Sequence, residues 1–105
     1  MLARDYPDFE VLWYGHIGDG NLHINVLKPA DWALADFQHA CEQVNEQVFV
    51  LVAEFAGSMS AEHGVGLLKR DYLAVTRPAQ DIALMHGVKA VFDPNGIMNP
   101  GKLLA

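Results

Sequence analysis

The sequence predicts an α+β fold in which an antiparallel β-hairpin packs against one long amphipathic helix, with further helices towards the C-terminus. Two β-prone runs flank the dipeptide Asp19-Gly20, and the second run alternates strictly between apolar and polar residues. Apolar residues then recur at spacings of three and four from Leu34 to Phe55, which is typical of an amphipathic helix. A proline that can open another helix follows at Pro78.

The hairpin is expected from about residue 10 to residue 28. Asp19-Gly20 predicts a two-residue turn, because the turn type that best joins two strands needs positive φ at both central positions. Such a turn places His16 directly opposite His23, with Asn25 two residues further along the same face. The opposite face then faces the core and carries Ile17, Leu22, Ile24 and Val26.

The remaining elements follow from periodicity and turn residues. Residues 1–9 are mixed and are expected to form a frayed end. The long helix should present one apolar stripe to the hairpin and stop at Gly57; the stripe consists of Leu34, Phe37, Cys41, Val44, Val48, Leu51 and Phe55. A short helix is expected over about residues 67–75 and another over residues 78–92, followed by two turns at residues 93–96 and 99–102.

Composition limits the possible functions. The chain has 105 residues, which is enough for one small domain but not for a cofactor domain as well. A net charge of −6 argues against nucleic acid as a partner. The single cysteine, Cys41, excludes an internal disulfide. Neither a signal peptide nor a transmembrane run is visible, so a cytoplasmic location is expected. The 51% hydrophobic content suggests a surface covered by a partner, by another domain or by a second copy.

Two histidines on one face of a rigid hairpin can bind a single metal ion, and Glu62 is the natural third ligand. Two imidazoles and a carboxylate suit zinc, manganese or iron and leave coordination positions open. The alternative is that His16 and His23 merely meet water on an exposed face. His63 is a candidate base, since imidazole exchanges protons near neutral pH; the alternative is an ordinary surface histidine in a glycine-rich loop.

Three motifs occur in order along the chain, and together they resemble the C-terminal end of the FAD-linked oxidase family of the vanillyl-alcohol-oxidase type. That family includes glycolate oxidase subunits, D-lactate dehydrogenases and D-2-hydroxyglutarate dehydrogenases. The resemblance extends from about residue 10 to residue 104. The motifs are Gly15-His16-Ile17-Gly18-Asp19-Gly20-Asn21-Leu22-His23, Ser60-Ala61-Glu62-His63-Gly64-Val65-Gly66 and Asp93-Pro94-Asn95-Gly96-Ile97-Met98-Asn99-Pro100-Gly101-Lys102.

The resemblance implies roles for individual residues. It makes His16, His23 and Glu62 ligands of a divalent metal, zinc or manganese above all. It implies that Asn25 binds the substrate and that His63 binds the substrate and acts as the catalytic base. Asn99 and Lys102 would then lie near FAD. The reaction implied is oxidation of a small 2-hydroxy acid, of the glycolate, D-lactate or D-2-hydroxyglutarate class, by hydride transfer to FAD.

The chain departs from the family in length. Members are several times longer and carry an N-terminal FAD-binding domain, together with an arginine that holds the substrate carboxylate. Residues 1–105 are therefore expected to form part of a C-terminal substrate and metal domain that is inactive without an FAD domain or partner subunit. The alternative is a stand-alone metal-binding or self-associating module without redox activity.

Overall fold

A computed structural model describes the whole chain, residues 1–105, as two compact units, Met1–Val48 and Phe49–Ala105. The first unit contains helix α1 (Leu2–Asp5), strands β1 (Glu10–His16) and β2 (Asn21–Leu27), and the start of helix α2 (Leu34–Glu54). The second unit contains the end of α2, a 3₁₀ turn (Arg70–Tyr72), α3 (Leu73–Thr76) and α4 (Ala79–Phe92). These elements confirm the α+β class.

The hairpin forms where the sequence predicts it, but its register differs by two residues. The strands are joined by four residues, 17–20, so that His16 lies opposite Asn21 and Tyr14 lies opposite His23. The predicted two-residue turn is wrong because only Gly20 has a positive φ, of 71°. The turn type that was expected needs positive φ at both central positions, and Asp19 does not provide it.

The wrong turn also misplaces part of the predicted core face. Ile17 lies in the turn and is fully exposed, and Leu22 is 60% exposed. Ile24 and Val26 are half-buried, as expected for the inner face of a two-stranded sheet. A shift of two residues keeps every side chain on its original face, because side chains alternate with a period of two. The register error therefore changes neighbours and not faces.

The core of the first unit forms around the N-terminal segment, which is ordered and not frayed as predicted. Leu2 and Phe9 are buried together with Ala40 and Val44 of α2. The ring of Phe9 packs edge-on against the rings of Trp32 and Phe37, with centroid distances of 5.0 and 5.4 Å. Aromatic pairs at these distances add stability beyond the area that they bury.

The core of the second unit consists of Phe49, Met59 and Leu73, which form one buried cluster. Tyr72 and Leu104 pack on its edge. The predicted short helix at residues 67–75 is shorter in the structure, because residues 67–69 form a turn before the 3₁₀ segment. Leu51 and Phe55, which the helical stripe predicts to be packed, are 40% and 84% exposed.

Helix α2 ends at Glu54 and is followed by a residue in the left-handed conformation. That residue is Ala56 and not the expected Gly57. Ala56 has a φ of 53°. The amide of Ala56 donates to the carbonyl of Ala53 at 3.0 Å, and the amide of Gly57 donates to the carbonyl of Val52 at 2.8 Å. This pair of bonds is the Schellman arrangement, in which glycine usually occupies the position of Ala56.

We expect Ala56→Gly to stabilise the chain by about 1 kcal/mol, because the left-handed conformation costs an L-residue about 1–2 kcal/mol that glycine does not lose. This corresponds to roughly 4–8 °C in melting temperature for a domain near this size. Ala53→Gly is the matched control, since Ala53 lies inside the helix and its replacement should destabilise by about 1 kcal/mol. Thermal melts that shift in the same direction for both variants would contradict the helix end described.

We also expect Gly15→Ala to disrupt the hairpin. A Cβ at this position would lie 2.0 Å from the backbone oxygen of Asn21, so the strands must separate to admit it. The expected loss is at least about 2 kcal/mol in the free energy of unfolding, measured from urea transitions. Gly18→Ala is the control: nothing lies within 4 Å of its added Cβ, and a change below about 0.5 kcal/mol is expected. Equal effects of the two substitutions would rule out the register.

Candidate active site

One face of the hairpin carries the two histidines in contact with each other. Their ring centroids are 5.5 Å apart, with the planes inclined by 61°. They are diagonal neighbours across the strands and not directly opposed, as predicted, because the turn is longer. Tyr14, directly opposite His23, stacks on the His23 ring with a centroid distance of 4.6 Å and an interplanar angle of 10°.

The environment of His16 is polar. Its Nδ1 atom lies 3.3 Å from the side-chain amide nitrogen of Asn21 and 4.0 Å from a carboxylate oxygen of Asp19. The same Asp19 oxygen accepts a hydrogen bond of 3.2 Å from the backbone amide of Asn21. Asp19 thus binds the backbone where β2 begins, and Asn21, which is buried, connects the strand to the imidazole.

Asn25 shares the face of the histidines, as the alternation predicts. It lies opposite Leu12 and two residues beyond His23 in β2, and it is exposed. A carboxamide at this position can donate to one oxygen of a small ligand and accept from another group. The hairpin face therefore offers imidazole, amide and phenol groups side by side.

The loop of residues 58–66 holds Glu62 and His63 in the second unit. The His63 Nε2 atom lies 3.5 Å from a Glu62 carboxylate oxygen, and the His63 side chain is 80% exposed. The loop is braced by Ser60, whose hydroxyl donates to the backbone carbonyl of His63. Lys69 in turn donates to this hydroxyl at 3.4 Å. The carboxylate and the exposed imidazole thus stand on a braced loop.

The terminal motif is organised by Asp93, which is buried at the end of α4. Its two carboxylate oxygens accept from the backbone amides of Ile97 and Met98, both at 2.9 Å. Lys89, one turn earlier in α4, donates to the Asp93 carboxylate and to the carbonyl of Met98. The Lys89 hydrogen bond is the main reason why the pKa of Asp93 lies below its usual value, and the two backbone amides lower it further.

Within the second unit, the terminal motif is tied to the loop that carries His63. The amide of Leu103 donates to the carbonyl of Gly66 at 2.7 Å, and Arg70 donates to the carbonyl of Gly101 at 3.1 Å. Asn99, two residues before Gly101, has a φ of 46°, a left-handed conformation that asparagine tolerates better than most residues. Asn99 and Lys102 are both exposed. Hydrogen bonds therefore connect the terminal segment with residues 66–70, which follow His63 along the chain.

Two other features lie apart from these residues. Burial raises the pKa of the Cys41 thiol, which makes it a poor nucleophile at neutral pH. An open groove of about 310 Å³ in the second unit is bordered mainly by apolar side chains and includes none of the predicted site residues. Its rim includes Arg70, Ile82 and His86.

Sequence reasoning missed the residues that support the site. Tyr14 and Asn21 lie opposite the histidines only because the turn has four residues, and Asp19-Gly20 is typical of a two-residue turn, so no local signal identifies them. Asp93 and Lys89 are four residues apart at the end of a helix, a spacing at which opposite charges meet. That spacing was a signal present in the sequence.

Comparison with known proteins assigns the chain to a family. Residues 1–103 match the FAD linked oxidases, C-terminal domain. The whole chain aligns with 23% of the length of a D-2-hydroxyglutarate dehydrogenase of Stutzerimonas stutzeri, with 56% of the residues identical. A D-2-hydroxyglutarate dehydrogenase of Xanthomonas citri pv. viticola is 59% identical over 98% of the chain and 22% of its own length. A D-lactate dehydrogenase of Anaerostipes hadrus is 44% identical over 91% of the chain and 20% of its own length.

The chain therefore belongs to the C-terminal domain family of the FAD-linked oxidases. It spans less than a quarter of the length of these relatives. None of its helices is both long enough and apolar enough to cross a membrane.

We expect Asp93→Asn to lower the urea midpoint at pH 7, because the amide cannot accept from Lys89 and two backbone amides as a carboxylate does. The folded-state pKa of Asp93 is depressed, so its stabilisation is present above the ordinary value of 3.8 and is lost as pH falls through the folded pKa. The difference in urea midpoint between wild type and Asp93→Asn should therefore disappear once the pH is below the folded-state pKa of Asp93. Asp71→Asn, at an exposed carboxylate, is the control and should change little at either pH. A pH-independent difference for Asp93→Asn would contradict this account.

Proposed function

We propose that this chain is the substrate and metal part of an FAD-dependent dehydrogenase that oxidises a small 2-hydroxy acid. The main support is identity of 56% and 59% to two D-2-hydroxyglutarate dehydrogenases over essentially the whole chain. Identity to a D-lactate dehydrogenase is lower, at 44%. A D-2-hydroxyglutarate dehydrogenase of Danio rerio is also 44% identical, so the two highest identities, and not the difference, make D-2-hydroxyglutarate the first substrate to test.

We propose that His16, His23 and Glu62 bind one divalent ion. The donor chemistry fits, because two neutral imidazoles and a carboxylate form a set that holds zinc or manganese with positions left open. The contact between the two imidazole rings on the hairpin supports this proposal, since both rings belong to one rigid element. A divalent ion bound here would lower the pKa of the substrate's 2-hydroxyl as a Lewis acid.

The protein residues complete the reaction. His63, which is exposed on its braced loop, accepts the proton of the substrate hydroxyl. Asn25 hydrogen-bonds the substrate from the hairpin face. FAD, when bound, would supply the redox chemistry of the oxidation. Asn99 and Lys102 would hold FAD from the terminal motif, whose conformation Asp93 stabilises.

The chain's surface supports the expectation of a partner. Leu84, Val88, Val91 and Phe92 are 59–77% exposed and recur along α4 at helical spacing. A stripe of this kind is typical of a surface that packs against other protein. We propose that an FAD-binding domain or subunit covers it, or a second copy of the chain, and that the assembly is cytoplasmic.

A chimera tests the metal ligands. The chain replaces the segment with which it aligns in the Stutzerimonas stutzeri enzyme, and bound metal is measured by elemental analysis. We expect about one divalent ion per chimera, lost in His16→Ala and Glu62→Gln. His39→Ala is the control, because His39 lies on the exposed side of α2 and should leave the metal content unchanged. Metal retained in full by His16→Ala would exclude the hairpin as the site.

The same chimera tests the base. We expect His63→Ala to lower kcat for D-2-hydroxyglutarate by at least about 100-fold, the usual contribution of a general base, with metal content near that of the unsubstituted chimera. Loss of metal on this substitution would make His63 a ligand and contradict the roles proposed. A chimera that binds metal and FAD but oxidises none of the three substrate classes would favour the metal-binding module without redox activity.

A further inference from the structure

The hairpin register gives each proposed histidine ligand one direct neighbour across the strands. Tyr14 lies opposite His23, and Asn21 lies opposite His16. Directly opposed residues have Cβ atoms about 4.5–5.5 Å apart and project from the same face. The side chains nearest to the two imidazoles on the partner strand are therefore a phenol and a carboxamide.

The Tyr14 ring lies flat on the His23 imidazole, at 4.6 Å between centroids and 10° between planes. His23 also contacts the ring of His16, with 5.5 Å between the centroids. An imidazole in contact with two other rings has little freedom to rotate about the bond to its ring. Its ring nitrogens then keep a constant direction, which lowers the entropy lost when an ion binds.

The side-chain nitrogen of Asn21 lies 3.3 Å from Nδ1 of His16, and Asn21 is buried. An amide nitrogen only donates, so Nδ1 of His16 is the acceptor in this contact. The cross-strand neighbour of His16 is therefore a hydrogen-bond donor, whereas that of His23 is a stacked ring.

We propose that Tyr14 is a positioning residue for metal binding, because its ring stacks on His23 and fixes the direction of that imidazole. This inference rests on the proposed function, in which His16 and His23 are ligands. Tyr14 is not itself a ligand and acts only through the orientation of the His23 ring.

Zinc binding to the purified chain tests Tyr14. The dissociation constant for Zn²⁺ alone is measured by competition with a chromophoric chelator. Tyr14→Val removes the stacked ring and should weaken binding about 10-fold or more, the usual effect of losing such a supporting partner. Tyr14→Phe keeps the ring and should bind within about twofold of wild type. Trp13→Val is the matched control, since Trp13 is as exposed as Tyr14 but on the opposite face, and binding should be unchanged.

A second readout needs no metal. In NMR spectra of the metal-free chain, the His23 ring protons should be shifted by the ring current of Tyr14. They should move on Tyr14→Val, stay on Tyr14→Phe and stay on Trp13→Val. Unmoved His23 signals, or equal zinc affinities for Tyr14→Val and Tyr14→Phe, would overturn the positioning role and leave the metal site standing. A wild-type chain with no zinc affinity, or with affinity unaltered by His16→Ala, would overturn the metal site and this inference together.

Discussion

The backbone reverses over residues 17–20 with one positive φ, at Gly20, and this turn sets every pairing of the hairpin. Asp19 stabilises the reversal by accepting from the amide of Asn21. The turn also affects the candidate site, because its length determines which side chain lies opposite each histidine on the other strand. A turn shorter by two residues would bring the histidines face to face and leave Tyr14 and Asn21 against other neighbours.

A comparable constraint acts in the second unit, where one buried carboxylate organises a loop. Asp93 accepts from two successive backbone amides and from Lys89, which also binds a carbonyl of the same loop. A backbone hydrogen bond from Leu103 to Gly66 and a side-chain hydrogen bond from Arg70 to the carbonyl of Gly101 then join this loop to the segment that carries His63. Residues distant in sequence are thus held by polar contacts, in a unit whose apolar core is only three side chains.

The chain covers less than a quarter of the length of its relatives. Its buried cores are small, and many apolar side chains are exposed. Short domains bury a smaller fraction of their surface than long ones do. The supports for the proposed ligands and base are accordingly local. Cross-strand stacking, a buried carboxamide and a serine–lysine brace each orient a functional group through its nearest neighbours.

The sequence by itself determined the fold class, the approximate bounds of the strands and long helices, the three motifs and the face that His16, His23 and Asn25 share. These depend on local periodicity, and a period of two keeps a face unchanged when the register moves by two residues. Tertiary structure alone decided the direct neighbours of the histidines, the ordering of residues 1–9 and the hydrogen bonds between the tail and residues 66–70. Those depend on the φ angles of one turn and on contacts between distant residues, such as Phe9 with Phe37 and Leu103 with Gly66, which no local pattern contains.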